Sequence, residues 1–229
     1  MKKFLINILK VFKLYNKVKI IENKYNLFIG EGHGHSLLLK ILREKKFFSQ
    51  PGLNFLEIGA SRENVFGQGS TQLIATFCEK KKINFISVDA DETNVVSIKK
   101  DLNKFNFFQI ICETGENFTK KNKTNFDIVY LDAFDIETPN IPEKRKNFYK
   151  NKFNKQITNQ ASAEMHKIVI KNLINFLSKN CVIVFDDTFV KGNKFSGKGQ
   201  TAIPILLKEK FKIIRKNKNS IALGRIENE

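Results

Sequence analysis

Cysteine is scarce in this chain and tryptophan is absent. The three cysteines, Cys78, Cys112 and Cys181, lie far apart, and none belongs to a CxxC pair. Zinc sites and disulfide frameworks need cysteines at short, regular spacings. The composition therefore argues against both, and we expect a reducing, cytoplasmic compartment.

Long apolar runs are also lacking, since none of the 229 residues belongs to a stretch of about 20 apolar residues that would cross a bilayer. Residues 1–25 carry apolar side chains near helical spacing, but lysines interrupt them and no small-residue cleavage site follows. We predict an amphipathic helix here that packs on the domain or on a second subunit of an oligomer. The alternative is a peripheral contact with the anionic inner surface of a membrane.

Acidic residues are outnumbered: 23 Asp and Glu stand against 40 Lys and Arg, which gives a formal net charge of +17. Such an excess is typical of proteins that bind nucleic acid or anionic membranes. Here only five of the basic residues are arginines, and the lysines are scattered rather than grouped beside aromatic residues. The pattern argues against a nucleic-acid partner, although the charge leaves RNA as an alternative substrate.

What the chain does contain is a repeated pattern in which a short apolar run ends in a carboxylate. The pattern occurs at Glu57, at Asp89, at Asp132 and at the pair Asp186 and Asp187. Runs of this length, rich in Ile, Val and Phe, are typical of buried parallel strands. Because ligands bind just outside the carboxyl ends of such strands, we expect the acids to line one crevice. The alternative for any single one is that it caps the following helix.

Strand and helix patterns alternate along the rest of the chain. Strands are predicted at 53–58, 83–88, 106–112, 126–131 and 181–185, and helices at 70–82, 92–103, 160–179 and 200–209. A polar turn at 216–219 then predicts a hairpin, so the sheet would end with an antiparallel strand. The expected fold class is α/β, a doubly wound and mainly parallel sheet with N-terminal helices.

A single domain over residues 26–229 is expected after the N-terminal helix. Residues 136–158 form its one long irregular stretch and contain two prolines. Irregular segments of this length in compact domains are usually functional, and we predict a lid-like insertion.

A glycine follows the first predicted strand, in the segment from Glu57 to Ser61. Gly59 would let a ligand approach the backbone closely. The segment is neither a GxGxxG fingerprint nor a P-loop, which argues against dinucleotides and ATP. Asp89, about thirty residues later, has the position from which a carboxylate takes ribose hydroxyls in nucleotide-binding sheets.

The segments FLEIGA, VDAD, CETGEN, FDIVYLDAF and CVIVFDD together resemble the class I, seven-stranded, Rossmann-like S-adenosylmethionine-dependent methyltransferases. The resemblance covers roughly residues 29–226 and implies seven strands, the last one reversed, and S-adenosylmethionine as cofactor. It implies that Glu57 and Gly59 face the methionine end, Asp89 the ribose, and Glu116 and Asn117 the base. The cofactor-binding residues expected are Gly30, Glu57, Gly59, Ser61, Asp89, Glu116 and Asn117.

A narrower resemblance is to the metal-dependent catechol O-methyltransferase group. There an acid after the fourth strand and an acid–Asn pair after the fifth hold magnesium, and here Asp132, Asp186 and Asp187 have those places. The segment IGEGHGHS, which includes Gly30, is similar to the part of that group that closes over the cofactor. Three carboxylates suit a hard cation such as Mg²⁺, which would acidify a substrate hydroxyl. The alternative is that Asp186 is a ligand and Asp187 only a cap.

Three residues are candidates for catalysis: Asp132, Asp135 and His166. Asp135 stands where that group has a catalytic lysine, and His166 lies one turn into a helix whose N-terminus should point at the crevice. The alternative for His166 is an exposed helix histidine. The predicted function is methylation of an oxygen of a small molecule or sugar. The alternatives are RNA methylation and a non-catalytic Rossmann-like binding protein.

Overall fold

The computed structural model describes residues 33–62, 69–139, 141–192 and 194–225. The predicted helix at 1–25 and Gly30 lie outside these ranges. Within them, no helix combines the length and the apolar character that a membrane crossing requires. The helices are α1 (Gly34–Glu44), α2 (Ser70–Lys81), α3 (Glu92–Leu102), α4 (Gly115–Lys121), α5 (Glu143–Phe153), α6 (Asn159–Leu173) and α7 (Ala202–Lys208).

Nine strands complete the described part of the chain. They are β1 (Asn54–Ile58), β2 (Asn84–Asp89), β3 (Phe108–Cys112), β4 (Phe126–Leu131), β5 (Leu177–Phe185), β6 (Thr188–Lys191), β7 (Lys194–Gly197), β8 (Lys212–Lys216) and β9 (Ile221–Gly224). Two short 3₁₀ segments, Lys46–Ser49 and Ile174–Phe176, precede β1 and β5.

Seven strands form one sheet in the order β3-β2-β1-β4-β5-β9-β8. The strands β1 to β5 run parallel, and β9 and β8 pair antiparallel at one end of the sheet. The predicted mainly parallel, doubly wound sheet with a C-terminal antiparallel hairpin is thereby confirmed. The chain leaves β1 first toward β2 and β3 and later returns to β4 on its other side, which creates the switch point where ligands bind in such sheets.

Both faces of the sheet are covered by helices. The strands are near-continuous apolar runs because successive residues such as Ile128 and Val129 point into opposite layers and both are fully buried. One layer is packed by α6 through Val169 and Leu173, and the other by α1, α2 and α3. The faces of the sheet are therefore covered by helices, and the ends of its strands remain available for a ligand-binding site.

Three elements depart from the predicted pattern. The segment 136–158, read as irregular, contains the helix α5, and the chain also forms the short helix α4 and a hairpin of β6 and β7. Helix α5 shows little apolar periodicity because most of its residues are charged. Its ends carry other signals: Pro142 precedes it, Glu143 begins it, and Asn154 ends it in the left-handed region at φ 51°.

Candidate functional site

A crevice lies at the carboxyl ends of β1 to β4, beside the point where the strand order reverses. The space between its walls is about 530 Å³ when the part open to solvent is included. Strand-end loops form its floor, and helix α5 contributes a wall. The lining residues used below are Gly59, Asp89, Glu116, Phe134, Arg145, Phe148 and Tyr149.

Gly59 packs the loop after β1 against the backbone of the loop after β4. Its φ of +95° lies in the left-handed region, and its amide donates to the Val88 carbonyl at 2.8 Å. A Cβ at this position would lie 2.4 Å from the backbone nitrogen of Ala133. Glycine is required here for both reasons, and the bare backbone faces the crevice as predicted.

Asp89 ends β2 and lines the crevice, where it is nearly buried. Its carboxylate accepts hydrogen bonds from the amides of Ala60 and Asp91 and from the side chain of Asn94. Burial raises the pKa of Asp89, while these donors and the nearby Arg62 oppose the rise. The carboxylate is therefore held in one orientation at the edge of the crevice.

Glu57 and Ser61 do not line the crevice. The Glu57 side chain is fully buried and accepts hydrogen bonds from the hydroxyls of Ser70, Thr71 and Ser87. Burial raises its pKa to about 8 against the effect of these donors. The Ser61 amide donates to Thr71 Oγ1, so both residues attach the loop to the first turn of α2. The structure therefore places Glu57 on the side of the sheet away from the crevice, because successive residues of a strand point to opposite sides and the next residue, Ile58, lines the crevice.

The loop after β3 supplies the next part of the lining. Glu116 lines the crevice and pairs with Lys155 across it, with 3.6 Å between Oε1 and Nζ. Asn117 is exposed and does not line the crevice, and its amide donates to the Thr114 hydroxyl, which caps α4. Of the two residues predicted beside the base, the structure brings only Glu116 to the crevice.

Helix α5 closes over the strand ends through contacts to Asp135. Arg145 Nε donates to Asp135 Oδ2 at 2.5 Å, and the Asp135 amide donates to the Tyr149 hydroxyl at 2.8 Å. Arg62 also pairs with Asp135 at 3.0 Å. Burial alone would raise the pKa of Asp135, but Arg62 and Arg145 outweigh it and hold the pKa below its usual value. Asp135 thus anchors the lid-like segment, whose aromatic side chains Phe148 and Tyr149 face the crevice.

Lys198, which no sequence pattern indicated, contacts the carboxylates at the strand ends. Its side chain is 3% exposed, and its ammonium donates to Asp132 Oδ1 at 2.5 Å and to the Asp132 carbonyl at 3.1 Å. It also lies 3.0 Å from Asp187 Oδ2. Burial alone would lower the pKa of Lys198, but Asp132, Asp187 and Asp186 outweigh it and raise the pKa. The flanking glycines Gly197 and Gly199 were the only local signal that this lysine turns inward.

Asp186, the third predicted metal ligand, is satisfied by other donors. Its Oδ1 accepts from the amides of Gly34 and Asp187, and its Oδ2 accepts from the Tyr130 hydroxyl at 2.7 Å. A Cβ on Gly34 would lie 2.9 Å from Tyr130 Cε2 and 3.0 Å from Asp186 Cγ, so a larger residue there would crowd both side chains. The start of α1 therefore packs directly on the end of β5.

These carboxylates do not fit the predicted magnesium site. The ammonium of Lys198 lies between Asp132 and Asp187, in the space that a shared cation would need. In the described part of the chain, no group of three His, Cys, Asp or Glu residues is arranged to hold a metal ion. The end of β4 and the end of β5 are thus bridged by an internal cation supplied by the chain.

His166 lies neither at the surface nor in the crevice lining. It is fully buried on α6, its Nδ1 bonds the Ser162 carbonyl at 2.8 Å, and its ring lies 6.3 Å from that of Phe185. Burial lowers its pKa to about 3, with a further contribution from Lys198. Its Nε2 has no hydrogen-bond partner. The alternative of an exposed helix histidine is wrong, and the residue is held neutral beneath the site.

Comparison with proteins of known structure identifies similar folds. No protein-family model and no curated protein matches the chain. Among solved structures, NSun6 from Pyrococcus horikoshii, determined with SFG, is similar over 86% of this chain and 53% of that one, at 13% identity and a TM-score of 0.54. A candidate rRNA-methylase from Clostridium thermocellum is similar over 82% of this chain and 95% of that one, at 12% identity and a TM-score of 0.50.

Identities this low concern the fold alone. The fold is that of the class I, Rossmann-like methyltransferases, as the resemblance of the motifs implied. The comparisons give no support to the narrower resemblance to the catechol O-methyltransferase group.

Proposed function

We propose that this chain is an S-adenosylmethionine-dependent methyltransferase that acts on an oxygen of a small molecule or sugar. One observation supports it above the others: the crevice lies on the switch point of this strand order, and bare backbone forms its floor at Gly59, after β1, and at Gly115, the first residue of α4. Gly59 and Gly115 both exclude a side chain, since a Cβ on Gly115 would lie 2.5 Å from Ile58 Cγ2. Such a floor suits a flat ligand that lies against the chain.

The lining residues fit the parts of that cofactor. Asp89 would take the ribose hydroxyls, Gly59 would lie against the methionine portion, and Glu116 would lie at the base. The aromatic side chains Phe134 and Phe148 offer apolar surface to the adenine ring. When bound, the cofactor would supply a methyl group on a positively charged sulfur: an oxygen nucleophile would attack the methyl carbon in line, and the sulfur would leave as the neutral thioether of S-adenosylhomocysteine.

The residues of the chain would orient the acceptor and receive its proton. As the new carbon–oxygen bond forms and the carbon–sulfur bond breaks, the acceptor hydroxyl loses a proton, for which Asp132 is the proposed base. Asp132 directly precedes Ala133, which lines the crevice, and its side chain is 28% exposed. Helix α5 would exclude water and hold the acceptor near the methyl group, since alignment is the main contribution to such a displacement.

Calorimetry with S-adenosylmethionine and S-adenosylhomocysteine, with NAD as a comparison ligand, tests the cofactor. We expect both sulfur ligands to bind and NAD not to bind. Asp89→Ala should weaken the binding, and Asp101→Ala, which changes an exposed carboxylate of α3, should not. Absence of binding by either sulfur ligand, or equal affinity in Asp89→Ala, would overturn the proposal.

An RNA acceptor is the second candidate, and helix α5 supports it. The helix carries four exposed lysines, Lys144, Lys146, Lys150 and Lys152, on the segment that forms a wall of the crevice. A basic surface beside a site suits a phosphate backbone. Reversing all four charges should then abolish RNA binding at low salt, while reversal of Lys210 and Lys212 should not. Equal RNA affinity at low and moderate salt would exclude this candidate.

A further inference from the structure

Lys198 reaches the carboxylates because of two glycines beside it. Gly197 has φ +78°, and a Cβ there would lie 2.0 Å from the Asp187 carbonyl oxygen. Gly199 is less strictly confined, since its Cβ would lie 2.6 Å from the side-chain atom Ile203 Cδ1, and its amide donates to Thr188 Oγ1 at 2.9 Å. The Lys198 amide itself donates to the Asp187 carbonyl. The turn after β7 is thus built to direct this side chain inward.

The ammonium and the carboxylates depend on each other. Asp132, Asp186 and Asp187 meet at two neighbouring strand ends, where like charges would repel one another without a cation. A lysine buried to this extent is equally unfavourable without anions beside it. The hydrogen bonds of its ammonium go to Asp132, which receives one on Oδ1 and one on its carbonyl. The contact therefore fixes the Asp132 side chain in one orientation.

We propose that Lys198 is a positioning residue that takes the place of a divalent cation between Asp132 and Asp187, and that its removal turns the cluster into a divalent-cation site. The replacement of one cation by another between these carboxylates does not depend on which methyl acceptor the protein uses. Carboxylate oxygens are the preferred ligands of Mg²⁺ and Mn²⁺, and two of these side chains remain partly open to solvent, at 28% for Asp132 and 40% for Asp187. Without the ammonium, these two carboxylates together with water would supply the oxygen ligands of the cation.

The test measures Mn²⁺ binding by electron paramagnetic resonance on the full chain and on Lys198→Met. We expect weak, non-saturating binding to the wild type and at least about tenfold tighter, saturable binding to the variant. Millimolar MgCl₂ should also raise the melting temperature of the variant and leave that of the wild type unchanged. Lys194→Met, on the exposed side of the same hairpin, is the matched control and should behave as the wild type.

Lys198→Met leaves buried carboxylates without a counter-charge and can fail to fold. The double variant Asp187→Asn with Lys198→Met carries one negative charge fewer and keeps an oxygen ligand at position 187. Asn also tolerates the φ of +40° found there. We expect it to fold and to bind Mn²⁺ saturably. Wild-type binding as tight as that of the variants, or a folded double variant that binds no Mn²⁺, would overturn the inference.

Discussion

Gly59 on the loop after β1 lies against the backbone of Ala133 after β4, so closely that a Cβ on Gly59 would come within 2.4 Å of the Ala133 nitrogen. The neighbouring atoms belong to the backbone and cannot rotate away. This contact brings the two strand ends together at the switch point and leaves the crevice floor without a side chain. Access to the site therefore depends on a residue that contributes no functional group.

Gly59→Ala should both destabilise the fold and weaken cofactor binding. The left-handed φ alone costs about 1–3 kcal/mol for a residue with a side chain, and the clash with Ala133 adds to it. Gly52→Ala is the matched control because Gly52 has φ +82° but no atom within 4 Å of its added Cβ. Urea unfolding should show the larger loss for Gly59→Ala. Equal losses in the two variants would show that the clash is relieved at no cost.

Glu57→Gln should change how stability depends on pH. The folded pKa of about 8 lies above the unfolded value near 4.5, so the folded state binds more protons in that window and stability falls as pH rises through it. Because Gln cannot ionise, the variant lacks this loss of stability at rising pH. Relative to the wild type, the variant should gain about 3 kcal/mol of unfolding free energy between about pH 5 and pH 8. A pH-independent difference in urea unfolding would contradict the raised pKa.

His166→Gln should protect the fold from acid. The folded pKa of about 3 lies below the unfolded value of 6.5, so the unfolded state binds more protons in that window and wild-type stability falls as pH falls through it. Between about pH 7 and pH 4.5 the variant should gain about 2–3 kcal/mol relative to the wild type. Circular dichroism during acid titration measures this, and His33→Gln, on an exposed residue, is the control.

The same His166→Gln protein tests the predicted catalytic role. A general base would be lost with the imidazole, and turnover of a folded variant would fall by about 10²-fold or more. The buried position outside the crevice lining leads us to expect turnover close to that of the wild type.

Arg145→Gln should weaken closure of helix α5. The guanidinium joins the helix to Asp135 at 2.5 Å and lies 4.7 Å from the Tyr149 ring, so its loss leaves Asp135 with fewer donors. We expect the Kd for S-adenosylmethionine to rise about fivefold or more, which corresponds to about 1 kcal/mol. Lys146→Gln is the control, since its exposed pair with Glu143 contributes little. An unchanged Kd in Arg145→Gln would mean that the helix does not cover the cofactor.

Much of the fold and part of the site follow from local patterns in the sequence. Buried parallel strands need apolar residues on both faces, so the runs that end at Glu57, Asp89 and Asp132 identify the strands and their carboxyl ends directly. The parallel arrangement then brings those ends to one edge. Gly59 and Asp89 could be assigned to the crevice for this reason, and the structure places both in its lining.

The tertiary structure decided what these residues contact. The carboxylate of Glu57 is surrounded by the hydroxyls of Ser70, Thr71 and Ser87, and His166 is buried because α6 packs that face on the sheet. Lys198 follows Asp132 by 66 residues, and β5 and the β6–β7 hairpin, which lie between them in the chain, bring the two side chains together. The sequence by itself determined which strand ends carry charge, since burial patterns are local. Which cation neutralises them depends on contacts between distant segments, and only the folded chain decides that.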